Sequence, residues 1–551
     1  MLRKREGKQL SIYSDIYRRI PEDHVLKQIA KAVDFSFINE LLAGSYCANW
    51  GRPAKEPEMM MKLNMLEYMY GLSDERVIEE SNYNLAYKWF LGLNPEDALP
   101  DPSLLAKFRT QRMKEVTLDE VMSEIVRQCV GKGIIKGKGL TIDATHIEAN
   151  CTKKVPERIM KQLAKKIFKG LEKDLGSIPG GINTEIPNYK QIEDHRVAKE
   201  TMKEYLAQTI EQAKEYAGNA TKEAIRTAED VVSDEKFILQ KGVRSLSDPD
   251  ARVGSKSKTD SFFGYKTEFT MTADERIITA MTVNSGEYVD GSEFETLLDA
   301  TKKGNVEVKE LYGDRAYFRK DILEKLEAEG IEDHIPVSAS VYKVDEELFS
   351  YNKDSDEWFC FMGNKTVKCK KTQRTANGKT YGILEYTFDK AQCINCPHRD
   401  RCMGKTKTKA RKLRIATSTP YFYEKSQKQK EPEFLEKYKK RSAQEWKNAE
   451  LKRFHGLARA RGWGLRSVAF QAKFTAIAVN LKRIAAILTS LLRVLTLSMR
   501  KIRSVRAFLC FILDSSLVAC FFLTTFSVVS DRPRVFQISH LANAIIMHQV
   551  C

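Results

Sequence analysis

From residue 1 to about 130 the apolar positions recur at intervals of three and four, the period of helices with a buried face. The clearest run, EPEMMMKLNMLEYMYGLSDERVIEESNYN, breaks at GLSDE, where Ser73 is placed to cap the following helix. Another helix is expected after the proline-rich turn in ALPDPSLLAKFRTQRM. Short helices around GLSDE fit a plain bundle more readily than a helix-turn-helix.

At GKGLTIDATHIEAN the period falls to two. Leu140, Ile142 and Ala144 alternate with Thr141, Asp143 and Thr145, so a strand should carry Asp143 on its polar face. The Lys- and Glu-rich stretch 154–240 reads as an antiparallel pair of helices forming a solvated arm. Alternation resumes in FFGYKTEFTMTADERIITAMTVNSG. Phe263, Tyr265, Phe269 and Met271 share one side, ADE turns the chain, and Ile277, Thr279, Met281 and Val283 complete a hairpin. A helix in GSEFETLLDATKKG, with Asp290 as its cap, leads to VKELYGDRAYFRKDILEKLEAEG. There a short apolar strand ends at Gly313 and Asp314, and a helix follows.

The order strand, helical insert, hairpin, helix, strand, helix, closed by a late helix carrying Glu445, is that of an RNase H-like fold. The expected class is therefore α/β: a mixed five-stranded sheet flanked by helices, with an N-terminal helical domain and two insertions. The boundaries follow the changes of pattern. Residues 1–135 form the helical, candidate DNA-binding domain, and 136–335 the first part of the core with its insertion 154–240. Residues 336–410 form a cysteine-containing insertion, 411–485 the basic remainder of the core, and 486–551 an apolar tail with no assigned role.

Charge narrows the partners. The formal net charge is +17, and the segment Arg401 to Arg483 holds 23 Lys or Arg against 6 Asp or Glu, so the whole excess fits within it. A field this localised suits a polyanion, nucleic acid before a ribosomal or membrane surface. The eleven cysteines, behind a start (MLRKREGKQL) with no secretory pattern, argue against a disulfide scaffold. A cytoplasmic protein with no membrane partner is expected. The apolar run FLCFILDSSLVACFFLTTFSVV, 508–529, is interrupted by Asp514 and reads as a buried helix pair or a decayed tail before a membrane span.

Within the basic segment, YKKRSAQEWKNAELK places Tyr438, Arg441, Glu445 and Lys452 within an arc of about 60° on a helix. In the expected fold, Asp143 on the first strand and Asp314 at the end of the fourth lie on neighbouring strands, and the Glu445 helix crosses the sheet. Three carboxylates without a His or Cys favour Mg²⁺ or Mn²⁺, and two such ions suit in-line phosphoryl transfer. His146 and Glu148 lie close to Asp143 along the strand, and His146 reads as a structural neighbour before a ligand.

Tyr438-x₂-Arg441-x₃-Glu445-x₆-Lys452 resembles the Y-R-E-K signature of bacterial insertion-sequence transposases of the DDE superfamily, related to the IS-four and IS-five groups and IS-eleven-eighty-two-like. LTIDATHIEAN is similar to that family's first catalytic strand and LYGDRAYF to its second acidic site. The N-terminal RPAKEPEMMMKLNMLEYMYGLSDERVIEESNYNLAYKWFLGL with DPSLLAKFR is similar to the helical domain preceding such cores. The likeness covers about residues 20 to 483. It implies an enzyme that binds its element's terminal inverted repeats in double-stranded DNA, cleaves there and joins the end to target DNA, as a homodimer in the paired complex. Asp143, Asp314 and Glu445 would hold two Mg²⁺ or Mn²⁺ ions, and Tyr438, Arg441 and Lys452 would position the DNA end. A DNA-binding derivative that has lost catalysis, and a metal-dependent nuclease that does not join, are alternatives.

The insertion contains CINCPHRDRC, with Cys393, Cys396 and Cys402 spaced C-x₂-C-x₅-C. With Cys360 as fourth ligand, or Cys369 or His398 in its place, they are candidate ligands of a structural Zn²⁺. The scattered Cys47, Cys129, Cys151, Cys510, Cys520 and Cys551 read as inert thiols.

Overall fold

The computed structural model describes residues 11–494 apart from 48–50, 115–116, 236, 238–241, 257–258, 377–378 and 405–407. The apolar run 508–529 and Cys510, Cys520 and Cys551 lie outside the described residues. The chain divides into a unit Met1–Ile487 and a unit Leu488–Cys551; the elements below build the first, except that the last helix runs past Ile487.

Short helices between Val25–Ala32 and Thr117–Gly131 make up the N-terminal part. Ser73 caps Asp74–Tyr83, its Oγ accepting from the Arg76 N–H at 3.3 Å. The methionine-rich helix Pro57–Tyr70 is buried on nearly all sides, Met59, Met61, Met65 and Met69 among its core residues. It is the central helix around which its neighbours pack, not an amphipathic surface helix.

The central sheet has six strands: β1 (Gly139–Glu148), β2 (Arg252–Ser255), β3 (Ser261–Thr272), β4 (Ile278–Ser285), β5 (Glu310–Tyr312) and β6 (Glu332–His334). Their order is β2-β3-β1-β5-β6, with β4 also paired to β3. β1 runs antiparallel to β3, from Leu140↔Thr272 to Glu148↔Gly264, and parallel to β5, from Gly139↔Glu310 to Thr141↔Tyr312. The five-stranded expectation is short by β2. This four-residue strand, RVGS, has no alternation to announce it and pairs with the overhanging start of the long β3.

Two further expectations are corrected. Among the described residues the charged stretch after β1 holds three helices, Pro156–Leu175, His195–Lys214 and Asn219–Ser233, not a pair. Gly176, at φ 81°, ends the first. The helices enclose a core of their own, including Met160, Leu163, Ile167, Met202, Leu206 and Ile225, so they are more than a solvated arm. Asp290 does not cap the helix Phe294–Lys303, whose cap position is taken by Glu293; Asp290 pairs with Lys266 at 2.9 Å.

After β6 the chain builds a small β-module. A hairpin of β7 (Phe349–Asn352) and β8 (Glu357–Cys360) adjoins a three-stranded antiparallel sheet of β9 (Thr366–Ala376), β10 (Lys379–Phe388) and β11 (Lys412–Ala416). The chain then returns to the main sheet through the helices Thr419–Gln429, Pro432–Tyr438 and Ser442–Phe454. Among the described residues Leu465–Val494 is the one helix long and apolar enough to cross a membrane, and half of that window is buried in the protein. Ala472, Phe474, Ile477 and Leu481 lie in the core. Asn480 fastens this helix to β4, accepting from the Ile278 N–H at 2.8 Å and donating to the Ile278 carbonyl at 2.7 Å.

Candidate active site

The register of β1 and β5 brings Asp143 and Asp314 together. Each lies two residues beyond the paired Thr141↔Tyr312, on adjacent parallel strands that run about 4.8 Å apart. After β5, Gly313 leads to Asp314, whose Oδ1 accepts from the Ala316 N–H at 2.8 Å and so caps the 3₁₀ turn Arg315–Tyr317. Asp143 feels that neighbour. Burial, and then the charge of Asp314, push its carboxyl up to about 7, against the opposing pull of Arg441, the Ala144 N–H and Asn448.

The helix Ser442–Phe454 is fastened over β1 by buried polar contacts. Gln444 Oε1 accepts from Thr141 Oγ1 at 2.6 Å, and Gln444 Nε2 donates to the Phe269 carbonyl at 3.4 Å. One turn further on, Asn448 Nδ2 donates to Asp143 Oδ2 at 3.0 Å. The chain beyond the helix also pairs with the end of β1, through Glu148 N–H to the Ala458 carbonyl at 3.0 Å and Ala460 N–H to the Glu148 carbonyl at 2.8 Å. The helix therefore cannot slide along the sheet without breaking bonds at both of its ends.

The four residues 438, 441, 445 and 452 do not ride on one unbroken helix. Tyr438 ends the helix Pro432–Tyr438, and a 3₁₀ turn, Lys439–Arg441, intervenes before Ser442–Phe454. Tyr438, Arg441 and Lys452 still converge on the carboxylates. Burial works against the Arg441 guanidinium, but Tyr438, Asp143, Asp314 and Glu445 outweigh it and keep its pKa above the ordinary value. The Tyr438 phenol is pushed up by burial and by Asp314, with Arg441 opposing. Burial, then Lys256, bring the Lys452 ammonium down to about 8, against the pull of Glu148 and Asp143.

Glu445 is held aside. Its side chain is 69% exposed and lies 3.3 Å from Arg441. Among the described residues, the group of three His, Cys, Asp or Glu side chains whose ligand atoms all lie within 4.8 Å of one another is a different one, Glu310, Glu332 and His334. Lys437 already neutralises that trio, at 3.3 Å from Glu310 and 3.1 Å from Glu332, and Lys428 adds a contact of 3.1 Å to Glu332. Despite burial, these cations lower the Glu332 carboxyl to about 2. The His334 ring is stacked on Tyr312 at 5.0 Å and packed against Phe434. An ion-pair network accounts for the trio without a metal.

Two contributors were missed by the sequence reading. Gln444 and Asn448 sit on a polar face that looks solvated until β1 is found beneath it. Their offsets from Arg441 and Glu445, three and seven residues or one and three, were the available signal. His146, read as a neighbour, is held below the ordinary imidazole range at about 4 by burial and then Lys452. Its Nδ1 faces Lys452 Nζ at 3.2 Å and its ring packs on Phe262.

Asp143 in the middle of β1 and Asp314 just past the end of β5 thus form a carboxylate pair beside the helix that carries Arg441 at its start. Residues 14–111 match the family model of a transposase domain (DUF772), and residues 359–485 match that of a transposase DDE domain. The two matches support a DNA transposase of the DDE family. Tyr438, Arg441, Glu445 and Lys452 fall inside the second match, whereas Asp143 and Asp314 lie between the two. No solved structure matches the chain.

Proposed function

We propose that this transposase has an RNase H-like core and a Y-R-E-K site, binds the terminal inverted repeats of its own insertion sequence, cleaves DNA there and joins the end to target DNA. The observation that carries this reading is the convergence of Arg441 on both Asp143 and Asp314. The strand order, with β1 between an antiparallel partner and a parallel one, supports the core assignment.

The donor set fits a hard divalent cation. Asp143 and Asp314 offer only oxygen, and burial, with the Asp314 charge second, raises the Asp143 pKa, a penalty on its negative charge that a cation would offset. Asp143, Asp314 and Glu445 would hold Mg²⁺ or Mn²⁺, which when bound stabilise charge on the attacking and leaving oxygens of the phosphodiester. Arg441 and Lys452 would grip phosphates beside the carboxylates, and Tyr438 would stack on a base or donate to a phosphate. The exposed Trp446 and Phe454, on the same helix among lysines and arginines, offer further flat surfaces to unpaired bases.

Asn448 orients Asp143 rather than meeting DNA. Asn448→Ala is therefore expected to raise the Mn²⁺ concentration for half-maximal cleavage by about 10- to 100-fold while leaving DNA affinity unchanged. A metal titration of cleavage beside a DNA-binding titration checks both. The function itself is tested with DNA carrying the inverted repeats that flank the gene. Cleavage at the repeat end with Mg²⁺, and joining of a pre-cleaved end to a second duplex, are expected. Binding without cleavage, or nicking without joining, would overturn the reading.

A further inference from the structure

The β-module between β6 and the helix Thr419–Gln429 has a small core: Phe349, Trp358, Leu384, Tyr386, Phe388, Cys393, Leu413 and Ile415. Most of β9 faces solvent, and its Val367 is 60% exposed. A core of this size, without a disulfide among its cysteines, is short of what holds small modules rigid. Four of those cysteines line a single cavity of about 270 Å³. Cys360 comes from the end of β8, Cys393 from the short helix Lys390–Ile394, Cys396 from the turn after it, and Cys402 from the short helix Arg399–Met403. A strand end and a later helix–turn–helix segment thus present one and three thiols to one space.

The surroundings supply donors rather than acceptors. Asn364 Nδ2 donates to Cys393 Sγ at 3.3 Å, Arg411 Nη1 donates to the Cys402 carbonyl at 3.0 Å, and Arg399 Nη1 donates to the Cys393 carbonyl at 3.4 Å. Two guanidiniums and an amide N–H around four sulfurs would offset the negative charge of a tetrathiolate centre. The competing ligands fall away. Cys369 is exposed on β9, paired in register with Tyr386 on β10, and His398 packs edge-on against Phe361; neither lines the cavity.

From the four cysteines that line one cavity we infer a structural Zn²⁺ site formed by Cys360, Cys393, Cys396 and Cys402, whose sulfurs draw together as the ion binds and staple the β8 hairpin to the two short helices. Each thiol gives its proton to solvent as its S–Zn bond forms, and no electrons move. Four protein ligands close the coordination sphere, so the site holds the module together and takes no part in DNA chemistry. Its test is accordingly independent of transposition.

The full-length chain, produced in zinc-supplemented medium and purified without chelator, is expected to carry one zinc per chain by plasma mass spectrometry. Cys369→Ser should keep that zinc, and the double variant Cys393→Ser/Cys396→Ser should lose it. Should the double variant fail to fold, the wild-type chain decides the matter. A mercurial thiol reagent should release the zinc to a chromogenic chelator, and cobalt substitution should give the thiolate-to-cobalt charge-transfer band of a tetrahedral site. A wild-type chain that stays zinc-free after zinc exposure, zinc retained by the double variant, or cobalt bound without a thiolate band would each overturn the site.

Discussion

Asp143→Asn is expected to lower DNA-end cleavage by about a thousandfold or more, the scale of losing several kcal/mol of charge stabilisation at the reacting phosphodiester. DNA binding should stay near wild type, because the basic helix and the segment that follows it are untouched. Asn keeps the size of Asp and can still meet Asn448 after an amide rotation. The same change should stabilise the protein in the absence of divalent ions. In the wild type the Asp143 carboxylate is crowded by burial and by Asp314, and removing its charge removes both penalties. A gain of about 1 kcal/mol is expected, typical of relieving a strained site. Thermal unfolding in chelator at pH 8, beside a cleavage assay, reads both effects. A variant that is inactive and also less stable would point to a folding defect instead.

Gly264→Ala should have the largest structural effect. Gly264 is paired with Glu148 of β1 and with Arg252 of β2, and its carbonyl accepts from the Gly286 N–H at 2.9 Å. A Cβ at this position would collide with the Ile147 carbonyl oxygen and stand 2.6 Å from the Ala149 nitrogen. Both are backbone atoms of the segment that carries Asp143, so neither can swing away as a side chain would. A loss of about 3 kcal/mol or more is expected, seen as a fall in soluble yield and melting temperature. Gly131→Ala, at a position with open space around it at the end of the helix Thr117–Gly131, should cost nothing measurable. Equal behaviour of the two variants would contradict the β1–β3 register.

The strand bearing Asp143 was legible because Leu140 and Ile142 alternate with polar residues, and both are fully buried. The hairpin was legible for the same reason, although most of β3 is buried on both faces, which blurs the alternation. What escaped notice had no local periodicity or depended on distant partners. β2 is too short to show a pattern. The three-helix insertion looked like an arm because its charged faces outnumber the apolar stripe that packs inward. Asn448 touches a residue 305 positions away, so only the folded sheet shows that its face of the helix is covered. The ion-paired Glu310, Glu332 and His334 likewise come from two strands and depend on Lys437 from a helix a hundred residues later. Only the folded chain sets Cys360 beside Cys393, Cys396 and Cys402 in one cavity lining and leaves Cys369 and His398 outside it.

The proposed metal site has a rival in that trio, and one measurement separates them. Fe²⁺ in place of Mg²⁺, activated with ascorbate and peroxide in the presence of a transposon-end DNA, generates radicals that cut the polypeptide beside the bound ion. Fragment mapping should place the cuts close to Asp143, Asp314 and Glu445. Cuts at Glu332 and His334, with none beside Asp143 or Glu445, would contradict the account.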